Sequence, residues 1–268
     1  MTTLYEDLQR DGFMVAKKLL PSDVITAARD SISRTLADQL SQLNLGVPTD
    51  LHSQLRALYA ADLDRYKRTL GAFWRKADIS AVMRHVALFG FVRSVLGWGD
   101  VFLPGGEVMM LMAPDLQIPG GYFGLGAHQD FPSIQGSLDG LVVWIPLHDV
   151  DAGNFPLEIV PGSHRLGLVT DVEQTHNGWQ ITASYLKQMT FRQITAKAGD
   201  VVFMSVFAIH RSGLNGNKLR IALSTRFDNA AEPSFVARTY PTAYQRIVHR
   251  EQFEPDFPHA RDMATLWP

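Results

Sequence analysis

A mainly β protein, a sandwich or barrel with helices at its N-terminal end, is what this sequence predicts, and three observations predict it. Up to about residue 100 the apolar side chains recur at helical spacing, and from Val101 the period changes to short apolar runs. Those runs are separated by turn-forming clusters at Asp151-Ala152-Gly153-Asn154, Pro161-Gly162, Ala198-Gly199-Asp200 and Asn215-Gly216-Asn217. No internal repeat, low-complexity tract or Pro-, Gly- or Ser-rich linker divides the 268 residues. One domain is therefore expected over 1–268, with 1–100 mostly helical, 101–230 the β core and 231–268 a C-terminal extension.

Taken in order, residues 11–20 read as a short strand. Pro21-Ser22-Asp23 then starts a helix with Ser22 as its cap, and Val24, Ala28, Ile32, Leu36 and Leu40 put one apolar stripe against the core. A second helix runs from Leu51 to Leu70. A third runs from Ile79 to Leu96 and is stopped by Gly97. His52 and His85, in this helical part, read as surface or satisfied core residues, neither having a nearby carboxylate partner at ligand spacing. Val108–Met112 is a buried strand by its continuous apolarity, with its methionines as core filler. The Gly-rich stretch 117–124 is followed by no phosphate-binding pattern and reads as a loop at the mouth of a site. Further strands are expected at 141–147, 157–160, about 193–197, 200–206 and 220–227. The long excursion 165–192, with a short helix from Ser184 to Met189, reads as part of a lid.

Composition closes off several functions. Net charge is −2 with 25 basic and 27 acidic residues, so no basic stripe supplies the electrostatic attraction that nucleic-acid binding needs. The absence of cysteine removes disulfides, thiolate metal sites and a catalytic thiol. Met1–Asp7 has neither a basic start nor an apolar core, and no apolar run is seen to approach the roughly 20 residues of a membrane-spanning helix. A cytoplasmic enzyme acting on a small molecule is the expectation; oligomeric state is not legible.

Candidate chemistry centres on Gly126-Ala127-His128-Gln129-Asp130-Phe131-Pro132. Gly and Pro keep this stretch out of a helix, and in extended chain residues i and i+2 share a face about 6–7 Å apart. His128 and Asp130 can thus point at one centre. With 9 His and 27 acidic residues, about one such pair arises by chance, and a second does occur at His249 and Glu251. Context separates them. His249 lies in a charged stretch near the chain end, whereas His128 is followed by strand after strand, the last pair delivering His210 and, ten residues on, Arg220. Two imidazoles and a carboxylate without thiolate leave three positions of an octahedron open, as in a non-haem Fe(II) oxygenase, while a structural zinc site would need a fourth ligand. Arg220 can grip a carboxylate with two parallel hydrogen bonds, and Ser212 offers a hydroxyl to the same anion. Arg226 shares a face with Arg220 by period two and is the alternative.

Several blocks in the same order resemble the phytanoyl-CoA dioxygenase family of Fe(II)/2-oxoglutarate-dependent oxygenases. They are Asp11-Gly12-Phe13, His128-Gln129-Asp130, Trp144-Ile145-Pro146-Leu147-His148-Asp149-Val150, Pro161-Gly162-Ser163-His164-Arg165, Gly199-Asp200-Val201-Val202-Phe203, and His210-Arg211-Ser212-Gly213 with Arg220. The resemblance spans residues 11–228. It implies a double-stranded β-helix (jelly roll, cupin-like) with helices packed outside. It also implies iron on His128, Asp130 and His210, 2-oxoglutarate on Arg220, Ser212 and Trp144, and oxygen as oxidant, with release of succinate and CO2. Retention of Asp130 favours hydroxylation or another oxygen-type outcome over the halogenation of relatives that lack this carboxylate, and the product can equally be an alcohol, an alkene, an epoxide or a ring. Asn154-Phe155-Pro156-Leu157 departs from the family's usual Asn-Gly and is expected not to touch the ligands.

Two other classes compete with this reading: a cupin-like isomerase or a dioxygenase without 2-oxoglutarate, and a non-catalytic binding barrel. Arg220 discriminates against the first, and succinate release against the second. His164 is expected to fix the Pro-Gly-Ser-His turn, His148 to end a strand, and His176 to lie in the insert. Glu107, Gln117, Tyr122, Phe123, Arg192 and Arg238 are the positional candidates for the substrate pocket. No Lys/Arg cluster stands near the mouth to hold a CoA thioester, which leaves a smaller metabolite as the expected substrate.

Overall fold

The computed structural model describes residues 2–119, 123–175 and 178–243. The His249–Glu251 pair, His176 and Tyr122 lie outside these residues.

In chain order the elements are α1 (Thr2–Asp11), β1 (Phe13–Ala16), α2 (Ser22–Gln42), α3 (Leu51–Ala61), α4 (Leu63–Ala72), α5 (Ala77–Met83), α6 (Val86–Leu96), β2 (Val101–Phe102), β3 (Val108–Met112), α7 (Phe131–Ile134), β4 (Leu141–Pro146) and β5 (Leu157–Ile159). They continue with β6 (Val172–Thr175), β7 (Gly178–Ile181), α8 (Ala183–Leu186), β8 (Arg192–Ile194), β9 (Val201–Ser205), β10 (His210–Ser212), β11 (Arg220–Asn229) and α9 (Pro233–Ala237). The major sheet runs β1-β9-β4-β11-β2, with β3 also paired to β11; a smaller sheet runs β10-β5-β8. The pairings are antiparallel.

The strands of the major sheet read as continuous apolar runs because both of their faces are covered. Leu141, Val143 and Ile145 of β4, Val201 and Phe203 of β9, and Ile221, Leu223 and Phe227 of β11 pack with Ile32, Leu36 and Leu40 of α2 and Leu88 and Val92 of α6. The alternate residues Val142, Trp144, Val202, Met204 and Ala222 pack instead against Leu157, Ile159 and Ile194 of the smaller sheet. That inner layer is where the candidate residues converge.

The helical part differs from expectation in three places. Ser22 is the first residue of α2, not a cap; Pro21 precedes it and no side chain caps the end. The helix expected over Leu51–Leu70 breaks at Asp62, whose carboxylate accepts from Arg65 N and starts α4. The helix expected over Ile79–Leu96 breaks at Arg84–His85, where the His85 ring accepts from Ala87 N, and Gly97 closes it in a left-handed conformation (φ 72°). His52 is a satisfied histidine, its Nε2 3.0 Å from Asp115 Oδ1, a partner 63 residues away. Residues Ala77–Leu96 also correct the expectation about apolar runs. They are long and apolar enough to cross a membrane by length and composition, with a mean hydropathy of 1.4. Here they form two helices whose Ile79, Val82, Met83, Leu88 and Val92 are buried against the protein's own core.

Within the insert, β6 and β7 form a hairpin that the sequence reading missed, followed by the short helix α8. Asp200 explains the Gly199-Asp200 block. Its carboxylate accepts from Lys18 N and Lys197 N, each at 2.9 Å, and from Lys17 Nζ at 3.0 Å. It therefore joins the turn after β1 to the turn before β9. Asp200→Ala strands two backbone donors, and a loss of about 1–3 kcal/mol of stability is expected in urea unfolding, with little change in the metal affinity of the surviving folded protein.

Candidate metal centre

His128 and His210 are brought together by backbone pairing. Each donates its N–H to the other's carbonyl, at 3.0 and 3.1 Å, and their rings lie 4.2 Å apart. Asp130 follows at the start of α7, its N–H bonded to Val206 O at 3.0 Å. One donor atom from each of His128, Asp130 and His210 lies within 4.8 Å of the others. Among the described residues this is the one cluster of three such groups close enough to share an ion.

The local hydrogen bonds suit a divalent ion. His128 Nδ1 lies 2.8 Å from Gly126 O and His210 Nδ1 lies 3.0 Å from Ala208 O. A carbonyl only accepts, so in the neutral ring each Nδ1 carries the hydrogen and each Nε2 keeps its lone pair for a metal. His128 Nε2 is 3.3 Å from Asp130 Oδ1. Burial, with the His128 ring beside it, pushes the His210 imidazole down to about 4, which keeps it neutral as a ligand must be. Burial alone would raise Asp130. The Arg226 guanidinium and the two imidazoles reverse that and hold its carboxyl well below the usual carboxylate range. Two imidazole Nε2 atoms turned to one centre and an ionised carboxylate fit Fe(II) with open positions.

Motif residues beside the triad brace it. Gln129 donates to Gly167 O and Phe207 O, each at 2.7 Å, and accepts from Val169 N at 2.8 Å, tying the start of the insert to the loop before His210. In the Pro-Gly-Ser-His turn the brace is Ser163, whose hydroxyl donates to Val160 O and accepts from Ile209 N at 2.8 Å. His164 packs over Gly12 instead; a side chain there would meet its Nδ1 at 2.5 Å.

Two cavities meet at the triad. The first, about 270 Å³, is lined by His128 and His210 and by Trp144, Ser212 and Arg220, so all three residues expected for 2-oxoglutarate face one space. Arg220 is buried on β11. It donates from Nη1 to Phe155 O at 2.5 Å and from Nη2 to Met112 Sδ at 3.0 Å. The Asn154-Phe155 segment thus touches the candidate co-substrate arginine, against expectation. Phe155 has φ 48°, the left-handed region that favours glycine. The second cavity, about 470 Å³, shares Leu125, His128 and Arg226 with the first and adds Asp130, Thr170, Trp179 and Gln180.

Most positional candidates for the substrate pocket are elsewhere. Glu107 pairs with Arg84, the Gln117 carbonyl accepts from Tyr59, Arg192 pairs with Asp11, and Arg238 donates to the carbonyls of Gln135 and Gly136. Phe123 lines a neighbouring cavity and meets Phe155 edge-on. Sequence reasoning missed Trp179 and Gln180. The alternation in Trp179-Gln180-Ile181 was the signal that could have found them.

A β sandwich that gathers two imidazoles and a carboxylate beside an arginine-bearing cavity defines a non-haem metal-dependent oxygenase. Residues 8–221 match the phytanoyl-CoA dioxygenase (PhyH) family, and the chain belongs to it. It is an Fe(II)/2-oxoglutarate-dependent oxygenase that uses O2 and acts on a small molecule. No curated protein sequence matches the chain. Solved structures do. The non-heme alpha ketoglutarate dependent carbocyclase SnoK from nogalamycin biosynthesis is 16% identical over 92% of this chain and 94% of that one, with a TM-score of 0.56. AviO1 from Streptomyces viridochromogenes Tue57 is 21% identical over 87% and 96%, with a TM-score of 0.55. The epimerase SnoN in complex with Fe3+, alpha ketoglutarate and nogalamycin RO is 15% identical over 85% and 83%, with a TM-score of 0.54. At these identities the likeness is one of fold, the cupin-like double-stranded β-helix with helices outside.

Proposed function

We propose that His128, Asp130 and His210 hold the ferrous ion, that Arg220, Ser212 and Trp144 hold 2-oxoglutarate in the 270 Å³ cavity, and that the 470 Å³ cavity takes the metabolite. The observation that carries this is the meeting of the two cavities at His128 in the triad. The bound ion with its keto acid supplies the oxidising power. The protein's own part is to present two neutral Nε2 atoms and one carboxylate oxygen, and to hold the distal carboxylate with charge-assisted hydrogen bonds from Arg220 and the Ser212 hydroxyl. Trp144, a residue of the inner layer, forms one wall of the 270 Å³ cavity. The β6–β7 hairpin is tied to the residue before His128 by Ile181 N to Ala127 O at 2.8 Å, and it carries Trp179 and Gln180 over the substrate side.

Hydroxylation is the outcome favoured over halogenation, because Asp130 occupies the ligand position that halogenation vacates. The SnoK and SnoN neighbours act in the biosynthesis of nogalamycin, which favours a natural-product intermediate as substrate. The chain works as one catalytic domain in the cytoplasm, a reading that its lack of cysteine fits. The test is a panel of metabolites scored for succinate release and oxygen uptake with Fe(II) and 2-oxoglutarate; a hit gives a hydroxylated product. With that substrate, Trp179→Ala is expected to raise the substrate KM about tenfold, roughly 1.4 kcal/mol of lost contact, and to leave the KM for 2-oxoglutarate unchanged.

A further inference from the structure

Arg226 has a role that the family's ligand set leaves unassigned. It stands on β11 opposite Val142 and shares the inward face with Arg220. Its side chain is 13% exposed, and that of Asp130 is 7% exposed. Nε and Nη2 both donate to the same carboxylate oxygen, Asp130 Oδ2, at 3.0 and 2.7 Å, while Nη1 donates to the Gly106 carbonyl. The other oxygen, Oδ1, is turned to His128 Nε2 at 3.3 Å.

This fork does not pair one nitrogen with each oxygen, which is the common geometry of an arginine–carboxylate contact. Both nitrogens close on Oδ2 and leave Oδ1 toward the imidazoles. An aspartate with two unrestrained oxygens can chelate an ion through both and occupy two of its positions. An Asp130 whose Oδ2 is taken offers one. The Gly106 carbonyl fixes the third corner of the guanidinium, so the fork cannot swing to release Oδ2 without breaking a second contact.

We propose that Arg226 is a positioning residue that restricts Asp130 to ligation through one oxygen, and so keeps three coordination positions open for the keto acid and O2. The proposal rests on the reading of Asp130 as a metal ligand. The outer partners of metal ligands typically change metal affinity 10–100-fold.

Metal-free wild type, R226Q, R226K and D130A are titrated with Co(II) as the probe, following the ligand-field absorption, with thermal stability measured on the same samples. R226Q is expected to weaken Co(II) binding about 10–100-fold, because Oδ1 is no longer held toward the imidazoles, and to change the ligand-field absorption, as the second carboxylate oxygen takes a position otherwise held by solvent. R226K, which keeps a donor charge but not the fork, is expected to recover part of the affinity and to show an intermediate spectrum. R226Q and R226K with wild-type affinity and spectra, whatever their melting temperatures, would overturn the proposal. If R226Q does not fold, the R226K spectrum decides alone. D130A separates the two readings. Binding by D130A equal to wild type removes the triad assignment and this proposal with it, whereas loss in D130A with no change in either Arg226 variant removes this proposal only.

Discussion

Changing His210 to alanine is expected to lower succinate formation by more than about a hundredfold and to abolish stoichiometric Fe(II) binding, with His128→Ala and Asp130→Ala doing the same. The outer partners of metal ligands alone are worth 10–100-fold, and loss of a ligand itself removes more. The three residues act as one unit, so a double variant is expected to be no worse than a single one. Removing His210 also relieves a cost, since a buried imidazole held at about 4 favours unfolding under acid. The sign is fixed by the direction of the shift. A histidine whose folded value lies below its unfolded 6.5 leaves the unfolded chain binding more protons between about 4 and 6.5, so its penalty grows as pH falls through that window. Metal-free His210→Ala is therefore expected to be less acid-sensitive than wild type while being inactive at every pH. His249→Ala is the control and is expected to leave turnover nearly unchanged. Equal damage from all four alanine variants would mean that the centre lies elsewhere.

Arg220→Gln is expected to raise the KM for 2-oxoglutarate roughly 10–100-fold, because a hydrogen bond to a charged group is worth about 1.5–3 kcal/mol. A smaller fall in kcat is expected. The side chain also supports the fold, as its Nη1 donates to the Phe155 carbonyl at 2.5 Å, and a stability loss of about 1–3 kcal/mol should accompany the variant. Arg220→Lys separates the two effects. Lysine keeps the charge without the planar fork, so it is expected to restore part of the co-substrate affinity. Steady-state kinetics with varied 2-oxoglutarate decide the point. An Arg220→Gln enzyme with wild-type KM and a lowered melting temperature would make Arg220 a structural residue and transfer the co-substrate role to another group.

The parts of this molecule legible in the chain are those set by local pattern. Leu141–Pro146, Val201–Ser205 and Arg220–Asn229 announce themselves as strands because both faces are buried and each run is apolar throughout. The stripe on α2 is equally plain. The helix breaks at Asp62 and Arg84–His85 were not, since apolar spacing continues across them and the side chains of Asp62 and His85 cap the start of a new helix there. The β6–β7 hairpin was missed because β6 carries a single apolar residue, Val172, and both strands gain order from pairing with each other and with Ala127. Phe155 read as a departure remote from the ligands, yet its carbonyl holds Arg220.

What the sequence determined by itself was chemical: two imidazoles and a carboxylate without competing thiols, an arginine ten residues past the distal histidine, and apolar runs long enough to close a sandwich. Only the tertiary structure decided which partner each of these side chains meets. Period-two alternation puts Arg220 and Arg226 on one face and cannot distinguish them. The position of Asp130, brought against β11 by its backbone bond to Val206, gives Arg226 the carboxylate and leaves Arg220 in the wall of the smaller cavity. The reason is physical. Spacing fixes which way a side chain points from its own strand, while its partner is fixed by what a distant segment places within hydrogen-bond reach.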